Sequence, residues 1–389
     1  MTQTQLPSTS EITTGITTGE IFVKKMKDER IEYVKLKVDA LQEFTINVFK
    51  RFGVPAEDAK IAADILIVAD QRGIGSHGLQ RLIRYTNGLK TGVMKPSADI
   101  KILKETPNTL LISGGDGLGQ VVGYKAMKLV IDKALKNNIA FAAVRDSNHY
   151  GIAGYYSMMA LDYDLIGLAM TNSAPLMVPT HGKNAIIGTN PLSIAVPTGK
   201  ELPFVLDMAT STTTRGKIEV YSREGKPMPI TWATDELGNP TQDASRVAAN
   251  LIERKGGGLI PLGGAEEENG GHKGYGLCVA IDILSGVLSG SAFGPNLYAK
   301  KDIPAKVSHF FGAIKIDAFI DPAIFKRMMD DYINIIKNSE KAAGKNRIFI
   351  HGEKEFEFYE QQKEEVHIYY KVIEELRKIG EEVNIKVPF

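Results

Sequence analysis

The sequence predicts an α/β fold of the mixed α+β kind. Three observations predict it. Segments with apolar residues every three or four positions stand at both ends of the chain, as amphipathic helices require. Between them lie short apolar runs bounded by turn residues, which read as strands. Strands and helices alternate in no strict order, and long glycine-bearing loops separate them, of the kind on which binding sites are built.

The elements follow in order. Val38, Leu41, Phe44, Val48 and Phe52 place a helix over Lys35 to Phe52, stopped by Gly53. Pro55 suits a first helical position, so a second helix covers Ala56 to Ala69. A loop, Arg72 to Gly78, precedes a helix over Leu79 to Gly88. Strand signals occur at Asp99–Leu103 and Thr109–Ile112, and Gln120 to Leu135 is helical. Ile139–Val144 is too apolar for a solvated strand and reads as buried. A helix over Ile152–Asp162 and strands at Leu165–Met170, Ile194–Val196 and Phe204–Met208 follow. Pro227 to Pro240 has turn chemistry and precedes a helix over Thr241–Arg254. Residues 256–276 carry nine glycines and read as a long loop. Tyr275 to Leu288 is an apolar helix, expected to be buried. A strand over Phe310–Phe319, a helix over Pro322–Asn338 and a helix over Glu364 to Ile379 complete the chain.

Composition narrows the function. The 389 residues carry 47 basic and 46 acidic side chains, a net charge of +1, which offers no general footprint for nucleic acid. The single cysteine, Cys278, excludes an intrachain disulfide and suits a reducing cytoplasm, and it leaves no cysteine-based zinc site. No apolar run approaches the ~18 residues of a membrane span. The first 23 residues hold no Lys or Arg, so they match neither a secretory signal nor a transit peptide. They read as a flexible extension, residues 1–31, with ordered structure beginning near Glu32.

Glycine is in excess, with 38 residues. The run Gly114-Gly115-Asp116-Gly117-Leu118-Gly119 lies between a strand and a helix and invites a dinucleotide-binding reading. The pattern fails. Gly123 comes one residue late, and the acidic residue expected about 20 positions on is Asp132, inside a helix. Other segments carry more chemistry. His77 lies in a glycine-flanked loop, and Arg81 four residues on shares its face if a helix begins there. A guanidinium of this kind clamps a carboxylate with two hydrogen bonds. His149, in Ser147-Asn148-His149-Tyr150-Gly151, stands beyond an apolar strand, where ligands of α/β sheets bind. Thr171-Asn172-Ser173, Gly188-Thr189-Asn190-Pro191 and Asp207-Met208-Ala209-Thr210-Ser211 supply small polar groups near strand ends. The loop leading into His272-Lys273-Gly274-Tyr275-Gly276 offers backbone N–H groups and a lysine for a phosphate. Its spacing is not that of a P-loop. A metal-dependent hydrolase built on His77, His149 and His272 lacks any short ligand spacing, and no metal is expected.

Taken together, Ala69 to Gly73, Ser76-His77-Gly78, Arg81-Leu82, Tyr85 and the motifs just quoted resemble the type 2 malate/L-lactate dehydrogenase family. The resemblance runs from about Val38 to about Glu355. It implies a non-Rossmann NAD(P)-binding fold with a central mixed sheet and flanking helices. It implies NAD or NADP as cofactor, a 2-hydroxy or 2-keto acid as substrate, and a homodimer, with no nucleic-acid or membrane partner. Carried over, His149 leads as proton donor or acceptor, with His77 close behind. Arg81 holds the substrate carboxylate. Ser173, Asp207, Met208, Ala209, Lys273 and Gly274 line the cofactor, joined by Gly352 and Glu353 of a segment that usually reads Pro-Gly-Glu and here begins with His351. The domain division expected is 32–110 with 320–389 as a helical substrate and dimerisation part, and 111–319 as the NAD(P)-binding part. The alternatives are a cyclic imino acid reductase on the same scaffold and a nucleotide-binding protein without catalysis.

Overall fold

The structure, a computed structural model, describes residues 21–26 and 29–389. Most of the expected extension lies outside the described residues. Within it, β1 (Ile21–Met26) pairs antiparallel with β2 (Glu29–Lys37). Then come α1 (Val38–Arg51), α2 (Ala56–Gln71), single 3-10 turns at Gly75–His77 and Leu79–Arg81, and α3 (Leu82–Lys90). The middle of the chain holds β3 (Lys101–Glu105), β4 (Thr109–Ser113), α4 (Gly119–Asn137), β5 (Ile139–Ser147), α5 (Ala153–Met158), β6 (Leu165–Thr171), β7 (Leu192–Val196) and β8 (Phe204–Met208). It continues with α6 (Arg215–Glu224), β9 (Ala233–Thr234), α7 (Ala244–Glu253), β10 (Gly258–Leu259) and α8 (Gly271–Asp282), which runs into a π-helical turn at Ile283–Val287. Last are β11 (Val307–Lys315), α9 (Pro322–Asn338), α10 (Glu353–Gln361), β12 (Glu365–Tyr369) and α11 (Tyr370–Glu382).

Seven strands form the central sheet in the order β3-β4-β5-β11-β6-β7-β8. Only β4 and β5 run parallel; every other pair is antiparallel. That mixture is not the parallel sheet of a Rossmann fold. β5 and β11 sit in the middle, which explains the wholly apolar reading of Ile139–Val144. α4 and α5 pack on this sheet. Val122, Met127, Val130 and Ile131 from α4 meet Ala142 and Val144 of β5 and Phe311 of β11. A second core joins α1, α2, α3 and α11 to β12 through Leu41, Phe44, Leu66, Leu82, Val366 and Leu376. A third lies under α6 to α8, around Met177, Ile218, Val247 and Cys278.

Two expectations are corrected. Glu364–Tyr369 is not helical. Val366 and Ile368 are buried on either side of exposed His367, a period of two, and the segment pairs with β2 as β12. The apolar helix after the glycine loop begins four residues earlier than Tyr275, at Gly271, and is buried on one face only. Cys278 and Ile281 point into the core, whereas Leu277, Ile283, Val287 and Leu288 are exposed, because no described residue covers that second face.

Phe311 is fully buried where β11 meets α4, and its ring faces Tyr156 at 5.6 Å between centroids. Phe311→Ala should lower the unfolding free energy by about 3–5 kcal/mol, read as a fall in the denaturant midpoint by circular dichroism.

Candidate active site

The glycine-rich turn and the end of β5 come together first. A Cβ on Gly119 would stand 2.2 Å from the Asn148 carbonyl oxygen and 2.5 Å from that of His149. The glycines after β4 therefore let α4 abut the segment that carries His149, which is a use for them inside the protein. Asn148 Nδ2 donates to the carbonyls of Asp116 and Gly117, at 3.1 and 2.9 Å. Lys306 ties the same region together, donating to Asp116 and Asp146 at 2.8 and 3.0 Å.

His149 emerges two residues beyond β5. Its Nδ1 lies 2.7 Å from the Tyr85 hydroxyl, while Nε2 makes no hydrogen bond with a described residue. Its ring stacks on His77, with centroids 5.4 Å apart and planes 19° from parallel. His77 is tethered in turn, its Nδ1 being 2.9 Å from the Ser76 hydroxyl. Arg81 folds back and donates from Nε to the Ser76 carbonyl at 2.7 Å. The stretch from His77 to Tyr85 thus brings His77 and Tyr85 onto the His149 ring, with Arg81 held between them. His149 retains some open surface although protein surrounds its ring closely. That burial, followed by the charges of Arg84, His77 and Arg81, holds the imidazole well below its ordinary value, so it is neutral. Burial, then Arg81 and Arg84, brings His77 down to about 4. Burial pushes the Tyr85 phenol up, so it stays a neutral hydroxyl.

The His77 loop is held from below by Asp70 at the end of α2. The Asp70 carboxylate accepts the Leu79 N–H at 2.7 Å, and burial pushes it up to about 7. Gly78 lies directly on it: a Cβ there would come within 2.0 Å of the carboxylate.

Beside this cluster lies a small cleft of about 80 Å³, lined by Arg72, Asp207, Glu355 and the backbone of Gly154 and Gly352. Ile74 and Ile152 also line it, each three residues along the chain from His77 or His149. Asp207 opens onto the cleft, yet the protein around it pushes its carboxyl up to about 6, offset in part by the Gly154 N–H at 2.7 Å and by Arg72. Arg72 lies over the Phe356 ring at 4.4 Å and forms no salt bridge among the described residues. Carboxylates for ribose hydroxyls, a guanidinium for a phosphate, and glycine walls that admit close approach make a donor set that fits a nucleotide. Gly352 has a φ of +91°, and a Cβ there would meet Val205 at 2.9 Å.

The remaining sequence-predicted residues are distributed unevenly. Asp207 and Met208 end β8 and Ala209 follows it; of the three, Asp207 lines the cleft. Ser173 belongs to a network with the Gly188–Pro191 segment, its Oγ accepting the Thr189 N–H at 2.9 Å and its own N–H reaching Asn190 at 3.0 Å. Lys273 is exposed at the start of α8. Gly274 is buried against Leu262, whose carbonyl oxygen would stand 2.2 Å from a Cβ. Glu353 does not line the cleft. Its carboxylate is bound by Lys337 and Arg347, at 3.0 and 2.9 Å, and Glu355 lines the cleft instead. His309, not singled out in the sequence, is fully buried between Thr171 and Ser147, 2.8 Å from each hydroxyl. It stacks on Tyr150 at 4.5 Å, and burial brings it down to about 3. Asp70 and Arg72 lay inside a quoted motif without a role, and nothing in the pattern pointed to Arg84 or Glu355. Among the described residues no three His, Cys, Asp or Glu side chains gather as a metal site, and no helix is long and apolar enough to cross a membrane.

Known proteins resemble this chain in sequence and fold. Residues 36–377 match the family model described as malate/L-lactate dehydrogenase. The chain is 48% identical to a malate dehydrogenase of Pyrococcus abyssi over 94% of its length and 99% of that protein. It is 40% identical to an L-sulfolactate dehydrogenase of Methanocaldococcus jannaschii, over 90% and 98%. Among solved structures, malate dehydrogenase from Pyrococcus horikoshii OT3 superposes with a TM-score of 0.83 at 44% identity, over 94% of this chain and 99% of that one. With a matching family model, whole-length relatives and a shared fold, the chain belongs to the malate/L-lactate dehydrogenase family of oxidoreductases.

Proposed function

We propose that the protein is an NAD(P)-dependent dehydrogenase that interconverts a malate-like 2-hydroxy acid and its 2-keto acid. The observation that carries this reading is the pairing of His149 with Tyr85 next to Arg81. In the tautomer this reading takes, the proton sits on Nδ1, 2.7 Å from the Tyr85 oxygen, and Nε2 is the reacting nitrogen. In oxidation, neutral Nε2 takes the hydroxyl proton of the substrate; in reduction, the imidazolium returns it. The developing charge stays on His149, because the buried Tyr85 hydroxyl holds its proton. Arg81 grips the carboxylate and turns C2 toward the cleft. His77 flanks the reacting ring and is the second candidate for the proton. Asp207, Met208, Ala209 and Gly352 hold the cofactor at the cleft, with Arg72 and Glu355 added to them, and Ser173, Lys273, Gly274 and Glu353 supporting its surroundings. The nicotinamide, when bound, supplies or accepts the hydride.

The same reading includes a homodimer. Gly276, Ala280, Ile283 and Val287 form one helical stripe, and a Cβ on Gly276 would meet nothing within 4 Å. An exposed apolar stripe with small residues at one end suits close packing against a second copy. Two parts are proposed, the helical 32–110 with 320–389 for substrate and dimerisation, and 111–319 for cofactor. We place the protein in the cytoplasm, a reading supported by its single, buried free thiol.

His149→Gln should lower turnover of malate by about 10²–10⁴-fold, followed by absorbance of the reduced nicotinamide, with little change in cofactor affinity. Near-normal turnover would move the proton role to His77. Arg81→Ala should mainly raise the substrate KM. Ile283→Glu with Val287→Glu should turn a dimer into a monomer by sedimentation. Acid titration provides a fourth check. His77 and His309 stay neutral in the folded protein until about pH 4 and pH 3, whereas an unfolded histidine takes its proton near 6.5. Their depressed values therefore favour unfolding progressively as the pH falls from 6.5 toward 4. Histidine ring NMR should show both rings neutral at pH 5.5; a charged signal from either contradicts this.

A further inference from the structure

We propose that Arg84 selects hydroxy acids that carry a second anionic group, a carboxylate or sulfonate at the end remote from the first carboxylate. The inference rests on the dehydrogenase reading above and names the substrate class of the same site. Arg84 lies in the first turn of α3, three residues after Arg81 at its N-cap, so the two side chains leave neighbouring positions and a diacid with charges at both ends can answer both. Neither guanidinium forms a salt bridge with a described carboxylate. The acid whose charge Arg81 feels, Glu219, is engaged with Arg215 at 2.8 Å. Two cations therefore stand in the segment between His77 and Tyr85 with no described carboxylate in a salt bridge to either. A monocarboxylate answers Arg81 alone, and a dianion answers both.

The side chain of Arg84 is aimed, not adrift. It donates to the Tyr298 hydroxyl at 2.6 Å, and its guanidinium carbon lies 5.4 Å from the centre of that ring. Tyr298 is itself fixed by Arg254, which donates to its carbonyl at 3.0 Å. Its backbone has a φ of +51°, a conformation that a tyrosine keeps only when its surroundings impose it. Arg84 directly precedes Tyr85, whose hydroxyl lies 2.7 Å from His149 Nδ1, and of the charges acting on His149 that of Arg84 comes first. One hydrogen bond to Tyr298 leaves further N–H donors on Arg84 for a ligand.

The test compares malate and sulfolactate with lactate on the full chain, as kcat/KM and as calorimetric binding. In Arg84→Gln the malate-to-lactate ratio should fall about ten- to hundredfold, the range of a charge-assisted hydrogen bond. Arg84→Lys should restore part of it. Tyr298→Phe should lower the ratio by less, and it carries the test if Arg84→Gln does not fold. Equal losses for all three acids, or an unchanged ratio, overturn the proposal. If no hydroxy acid is turned over with either nicotinamide, the dehydrogenase reading fails and binding decides. Malate bound more tightly than lactate, with the difference lost in Arg84→Gln, supports the role of Arg84; equal binding of both acids overturns it.

Discussion

Two unpaired guanidinium groups beside two stacked histidines set the terms for the rest of this molecule. A charge in a partly desolvated place is costly without a partner, and four potential cations in one cluster are costlier. The protein resolves this by keeping both imidazoles neutral, which their burial and the arginine charges together enforce. The positive potential that remains is fixed before any ligand arrives, and such preorganised charge needs no rearrangement when an anion enters. Buried and hydrogen-bonded parts hold the cluster. Tyr85 is fully buried on α3, the His149 segment is tied to the turn before α4 and to Lys306, and the His77 turn rests on Asp70.

Glycine serves close approach of backbone to backbone more than ligand binding. Gly119 meets the carbonyls of Asn148 and His149, Gly274 meets Leu262, and Gly167 meets the Ser157 carbonyl, each at a distance that a Cβ would violate. The run after β4 imitates a dinucleotide fingerprint because both solve one steric problem, bringing a helix start against something at van der Waals distance. In one case that is a pyrophosphate. Here it is the chain that bears the histidine.

Much of this was legible in the sequence. The amphipathic helices at the ends, the buried β5, and the trio His77, Arg81 and His149 were readable, because each depends on local spacing or on a motif of adjacent residues. What was not legible depends on distant partners. Val366 and Ile368 fit a helical stripe as well as a strand until β2 is beside them. Glu353 sits in a cofactor-like motif, but Lys337 and Arg347 decide where its carboxylate points. His309 has no motif at all, and acquires meaning only when β11 brings it between Ser147 and Thr171. The apolar helix α8 reads as buried because sequence records the hydrophobicity of a face and not what covers it.

The contact between Asp70 and Gly78 binds two positions into a single unit of change. The carboxylate fills the space where a side chain at 78 would begin, and it caps the Leu79 amide at the same time. A larger residue at 78 is acceptable only with a smaller one at 70, and a smaller one at 70 leaves that amide unanswered. A side chain at 78, or a residue at 70 without an acceptor in this place, therefore disturbs the loop by itself. In a lineage of such chains the two would be exchanged together or not at all, and the loop bearing His77 would be among the slowest parts of the molecule to drift.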